Sequence, residues 1–88
     1  MAYFVYLVRC EDATLYCGIT TDLIRRLSEH NTSVRGAKYI RARRPVTLVY
    51  YRKCRNRGFA LRYEAKVKSM TKQKKEQLVA DFQQSLTK

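Results

Sequence analysis

Tyr3 to Cys10 (YFVYLVRC) constrains the fold more than any other stretch of this chain. It is aromatic and β-branched, and apolar on both alternating faces: Tyr3, Val5 and Leu7 on one, Phe4, Tyr6 and Val8 on the other. A strand apolar on both sides must be covered on both sides, so this one predicts a central strand. Glu11-Asp12-Ala13 is a polar break and Thr14 to Ile19 a second strand, which makes the pair a hairpin. A two-residue loop would set Tyr6 and Tyr16 on opposite faces. A three-residue loop pairs Cys10 with Thr14 and gathers Tyr6, Val8, Tyr16 and Gly18 on one face. The longer loop is expected, because a site that uses both phenols needs them together.

Thr20-Thr21-Asp22 then starts a helix, with Thr21 as the expected N-cap and Asp22 in the positive end of the dipole. It should run to about His30. Leu23 and Leu27 face the core, and Arg26 and His30, four apart, flank that stripe. Residues 31–36 read as loop. Arg35 to Arg44 (RGAKYIRARR) is a short helix or a loop that Pro45 ends in either case. Val46 to Lys53 is a third strand and Cys54 to Gly58 a basic loop. Phe59 to about Met70 is a helix, and Thr71 is the expected N-cap of another that reaches about Leu86. Ala60, Tyr63, Val67 and Met70 line the inner face of the first, and Leu78, Val79, Phe82 and Leu86 that of the second. The class is α+β. At 88 residues, a single domain over 1–88 is expected.

Charge narrows the functions. Residues 1–34 hold Arg9, Arg25 and Arg26 against Glu11, Asp12, Asp22 and Glu29, a balance of −1. The remainder carries only Glu64, Glu76 and Asp81 as acids and is +13, which accounts for the net +12. An excess so concentrated points to a polyanion, nucleic acid above all. Cys10, Cys17 and Cys54 form no CxxC pair and are read as buried structural thiols. The Asn31-Thr32-Ser33 sequon carries no weight for a protein read as intracellular. No apolar run approaches the roughly 20 residues of a membrane span, and the N-terminus lacks signal-peptide features. The expected location is intracellular and cytoplasmic, nucleoid-associated in a bacterium, with no membrane partner.

Two groups of residues carry chemistry. Leu15 to His30 brings a phenol, Tyr16, to a helix bearing Arg26 and His30. Arg35, Lys38, Tyr39, Arg41, Arg43 and Arg44 interleave cations with an aromatic ring, which suits phosphate contact and stacking. The bland reading there is an exposed basic turn with Tyr39 tucked into the core. Glu64 lies on the apolar arc of its helix, where a carboxylate is costly unless it is paired or binds a cation. An i,i+4 ion pair with Lys68 would explain it equally well. A hard divalent ion needs few protein carboxylates, an arginine can clamp a phosphate, and a tyrosine or histidine can orient or deprotonate water. Together these are the parts for hydrolysing a phosphodiester.

With those parts in view, the chain resembles the GIY-YIG nuclease family over most of its length, and in particular its small stand-alone members related to the nuclease domains of structure-specific endonucleases. Phe4-Val5-Tyr6 resembles the first family motif and Tyr16-Cys17-Gly18 the second. Arg26, His30 and Glu64 follow in order, with the GAKYIRARRPV and YEAKVKSMTKQKKEQL segments around them. The resemblance implies a three-stranded antiparallel sheet flanked by helices and one-metal hydrolysis of DNA, with Mg²⁺ or Mn²⁺. It implies Glu64 as metal ligand, Arg26 on the scissile phosphate and Tyr16 as or beside the general base. Tyr6 would position water or phosphate, and His30 would relay a proton or hold the phosphate. The chain departs from the family pattern at Phe4, where a glycine stands in the motif, and at Ile19, where some members carry lysine. The implied substrates are nicked, branched or single-stranded DNA in repair. A non-catalytic nucleic-acid-binding module, or a subunit needing a protein partner for specificity, are the alternatives.

Overall fold

The computed structural model describes residues 2–86, in the order β1 (Tyr3–Arg9), β2 (Leu15–Thr20), α1 (Leu23–Thr32), α2 (Lys38–Arg41), β3 (Thr47–Cys54), α3 (Arg57–Lys68) and α4 (Lys72–Leu86). The sheet has the order β2-β1-β3 and is antiparallel throughout, so β1 is central as its two apolar faces require. Its layers are helical. Val5 and Leu7 point to a core closed by α3 and α4 through Ala60, Val67 and Val79. Tyr6, Val8 and Cys10 point the other way, to Ile40 of α2, Val46, and Leu23 and Leu27 of α1.

The hairpin has the three-residue loop. The Cys10 N–H donates to Thr14 O at 2.8 Å and the Ala13 N–H to Cys10 O at 2.9 Å. Ala13 closes the turn in the left-handed region at φ 69°, where loops of this length commonly place one residue. Asp12 Oδ1 accepts from the Thr14 N–H at 3.1 Å and its hydroxyl at 2.6 Å, which holds the turn from within. Tyr6 therefore pairs with Gly18 and Val8 with Tyr16, and both phenols share a face. Between Leu7 and Val8 the pairing with β3 slips by one residue, so the neighbouring Val49 and Tyr50 both reach the α3/α4 core.

Several boundaries differ from the expectations. Asp22, not Thr21, caps α1: its carboxylate accepts from the Arg25 N–H at 3.1 Å, while Thr20 Oγ1 accepts from the Asp22 N–H. The helix continues past His30 to Thr32. The Asn31 amide is occupied there, donating to Val46 O and accepting the Val46 N–H at 2.7 Å, which ties α1 to the start of β3. Residues 38–41 form the short helix α2. The loop expected over Cys54 to Gly58 is shorter: Cys54 ends β3, and Asn56 caps α3 by accepting from the Phe59 N–H at 2.8 Å. Thr71 starts α4 as expected, its hydroxyl accepting from the Lys74 N–H. Leu78, Val79 and Phe82 face the core, but Leu86 is exposed, because the helix has run past the sheet beneath it. All three cysteines are buried and free.

Candidate active site

His30 is the centre of the α1/α2 face. It is fully buried in the last turns of α1. The Ala37 N–H donates to its Nδ1 at 3.3 Å, so the ring proton sits on Nε2 and is directed at the Tyr6 phenol oxygen, 2.6 Å away. Tyr6 accepts that bond and keeps its own hydroxyl proton for another acceptor. Tyr16 meets the same imidazole edge-on at 5.6 Å between ring centres. Burial pulls the His30 pKa down to about 4, with Arg26 and Arg44 adding to the effect and Glu29 opposing it. The imidazole is therefore neutral at physiological pH. Burial also pushes Tyr6 up to about 12, against the neighbouring Arg26 guanidinium, so this phenol stays protonated.

Arg26 lies beside Tyr6, one turn before His30. Its Nη1 donates to Glu29 Oε1 at 3.1 Å and to Arg35 O at 2.8 Å, and the side chain is about one-quarter exposed. These bonds fix the guanidinium on a rigid helix and leave donors for a ligand. Glu29 was not singled out from the sequence; its i,i+3 spacing from Arg26 was the available signal.

The basic segment divides. Tyr39 stacks on Tyr16 at 6.0 Å, donates to Thr14 Oγ1, and carries the Arg43 guanidinium 3.8 Å above its ring. Arg43 also pairs with Asp12 at 3.0 Å. The ring is partly exposed rather than tucked into the core. Arg44 is used internally: it donates to the carbonyls of Glu29, His30 and Ser33, closing the C-terminus of α1. Arg35, Lys38 and Arg41 are exposed.

Glu64 stands apart from this cluster. It is largely covered, lies 3.4 Å from Lys68 Nζ, and is near enough to Cys17 to reinforce the rise that burial gives that thiol, to about 11. Cys17 sits between Tyr16 and Gly18 on β2 but faces the α3/α4 core. No bond among the described residues joins Glu64 to Tyr6, Tyr16, Arg26 or His30. Nor do three His, Cys, Asp or Glu side chains gather as a metal-binding group among them. One carboxylate is still a fitting ligand for a hard ion that takes its other oxygens from water and phosphate.

The model of the GIY-YIG catalytic domain matches residues 2–77, nearly the whole described chain. The chain belongs to the GIY-YIG family. It is 51% identical over 78 residues to the UPF0213 protein DP2720 of Desulfotalea psychrophila, covering 89% of this chain and 71% of that one. It is 46% identical over 79 residues to the UPF0213 protein YhbQ of Escherichia coli, covering 90% and 78%. Two solution NMR structures have the same fold. The UPF0213 protein BH0048 of Bacillus halodurans aligns with a TM-score of 0.59 at 42% identity, over 91% of this chain and 84% of that one. The protein EF2693 of E. faecalis aligns with a TM-score of 0.63 at 36% identity, over 94% and 88%. Among the described residues of this GIY-YIG chain no helix is long and apolar enough to cross a membrane.

Proposed function

We propose that this protein is a metal-dependent DNA endonuclease acting on nicked, branched or single-stranded DNA. The observation that carries the reading is the buried Tyr6–His30 bond of 2.6 Å, with Arg26 beside it and Tyr16 against the same imidazole. A neutral histidine that donates to a phenol leaves the phenolic proton free for another acceptor, which suits positioning a water or a phosphate oxygen. Tyr6 takes that role and His30 orients it. Arg26 stabilises the charge that builds on the phosphate as water adds. Tyr16, the more exposed phenol, takes the proton that the attacking water loses while passing its own hydroxyl proton to solvent; as the new P–O bond forms the scissile one breaks, and the leaving oxygen takes a proton from water.

Glu64 would hold Mg²⁺ or Mn²⁺, which when bound neutralises phosphate charge and lowers the pKa of a bound water. β2 is an edge strand, and this makes the division tractable. A substrate lying along that edge can meet Tyr16 on one face of the strand and the carboxylate near Cys17 on the other. Arg35, Lys38 and Arg41, with Tyr39 and Arg43 beside Tyr16, supply docking for DNA.

The Glu64–Lys68 pair favours a second reading, a nucleic-acid-binding module without cleavage, since it explains the carboxylate with no metal. A labelled branched DNA incubated with wild type, Glu64→Ala and Arg26→Ala, with and without Mg²⁺, separates the two. Mg²⁺-dependent cleavage by wild type that falls at least about 100-fold in each variant is expected. Binding by all three without cleavage would favour the module. Cleavage that appears only with a protein partner added would make the chain a catalytic subunit.

A further inference from the structure

A second cationic site lies on the opposite side of the sheet from the Tyr6 cluster. Arg52 pairs with Val5 across β1 and β3, so it points to the α3/α4 face, whereas Tyr6 and Gly18 point away from it. There Arg52 meets the outer flank of α3. Phe59, Arg62, Tyr63 and Lys66 follow one another at helical spacing, and with Arg52 they line a groove of about 360 Å³. The Arg52 guanidinium lies 4.5 Å from the Tyr63 ring centre and 5.6 Å from that of Phe59, and Arg62 lies 5.9 Å from Phe59. Tyr63 is itself fixed, its hydroxyl 2.7 Å from that of Tyr50.

The electrostatics are one-sided. Among the described residues no carboxylate pairs with Arg52, Arg62 or Lys66, although Arg9, Arg25, Arg26, Arg43 and Lys68 all have acidic partners. Guanidinium groups laid on rings keep their planar fork of donors and lose little freedom on binding. Three unpaired cations beside two aromatic rings suit a chain of phosphates together with the base faces that only an unpaired strand offers to a ring.

We infer that the groove between β3 and α3, formed by Arg52, Phe59, Arg62, Tyr63 and Lys66, binds the phosphate backbone of a single DNA strand. The inference rests on the nuclease reading and deepens it: this site would hold an unpaired arm of a nicked or branched substrate.

The test measures binding of a fluorescein-labelled oligothymidine of about 20 nucleotides by anisotropy across a salt series, alongside cleavage of branched DNA. The variants are Arg52→Gln/Arg62→Gln/Lys66→Gln together and Arg52→Lys alone. The triple variant is expected to bind at least about tenfold more weakly, with a salt slope shallower by about 2, since each phosphate contact to a single strand contributes about 0.7. Arg52→Lys keeps the charge without the fork and is expected to lose severalfold in affinity at little change in slope. It carries the test if the triple variant loses helix content. Affinity and slope equal to wild type in both variants, while wild type still cleaves, would overturn the groove and spare the nuclease. Displacement of the oligonucleotide by poly-glutamate as readily as by unlabelled strand would reassign it to acidic protein segments and overturn it as a DNA site. A wild type that neither binds nor cleaves DNA would overturn both readings.

Discussion

Gly18 is a glycine because Tyr6 occupies the space that a side chain would need. The two residues are directly paired across β1 and β2, and a Cβ at Gly18 would lie 2.4 Å from the Tyr6 hydroxyl oxygen and 2.6 Å from the ring carbon that bears it. That phenol cannot retreat without breaking its bond to His30. Gly18→Ala should therefore cost about 1–3 kcal/mol from overpacking and lower DNA cleavage by an order of magnitude or more. Gly58 supplies the comparison. A Cβ there meets nothing closer than 3.6 Å, and the residue lies in the first turn of α3, so Gly58→Ala should leave stability unchanged or raise it by roughly 0.5–1 kcal/mol. Urea denaturation and cleavage of both variants check this; a Gly18→Ala protein as stable and active as wild type would refute the steric account. Recognising Tyr16-Cys17-Gly18 as a motif needed only the sequence. Why its third position must be small did not follow from one strand, because the clash comes from the neighbouring one.

Among elements, the strands were the most legible. Alternation and loop length made β1 central and put Tyr6 with Tyr16, since a strand's period of two leaves few choices once one register is set. Helix ends were less so. Thr21 and Asp22 are both good caps, and only the backbone path shows that Thr20 and Asp22 share the work. Asn56 was a readable cap signal that the basic loop around it obscured. Arg44 shows the limit most clearly. Within RGAKYIRARR it has the same look as Arg41, yet it closes the end of α1 while Arg41 is exposed to solvent. Three carbonyls converging on one guanidinium cannot be read from spacing, because the partners lie 11 to 15 residues away. Arg44→Ala should destabilise the fold by about 1.5–3 kcal/mol, and Arg44→Lys should recover little of this, since an ammonium cannot span the fork. Arg41→Ala should leave stability within about 0.5 kcal/mol and instead weaken DNA binding. Paired denaturation and binding curves decide; the reverse assignment of effects would show that Arg44, not Arg41, is the docking residue.

At the scale of the whole molecule, one sheet separates two layers with different tasks. The α3/α4 layer holds the larger apolar core and is pinned to β1 by the two-point Arg9–Glu76 pair at 2.6 and 2.7 Å. The α1/α2 layer closes over a smaller core and contributes a buried histidine to it. That choice has a cost in acid. His30 binds a proton near pH 6.5 when unfolded but only near 4 when folded, so at pH 7 the folded ring is neutral and the unfolded one only about one-quarter protonated. As the pH falls below about 6.5 the unfolded chain takes up a proton that the folded protein excludes, and stability falls until the folded ring titrates as well. Between pH 7 and pH 5 the loss should be about 2 kcal/mol. Asp12 and Glu76 are held below the ordinary carboxylate range, by Thr14 and Arg9 respectively, so their contributions persist above it and are lost only lower still. The upper window therefore belongs to His30. With a single histidine in the chain, its ring resonances can be followed by NMR while urea denaturation is measured at the two pH values. A folded-state midpoint near 4 should accompany the loss of stability. A midpoint near 6.5 with unchanged stability would mean that the imidazole accepts a proton freely, and that it does not hold Tyr6 in the way its burial requires.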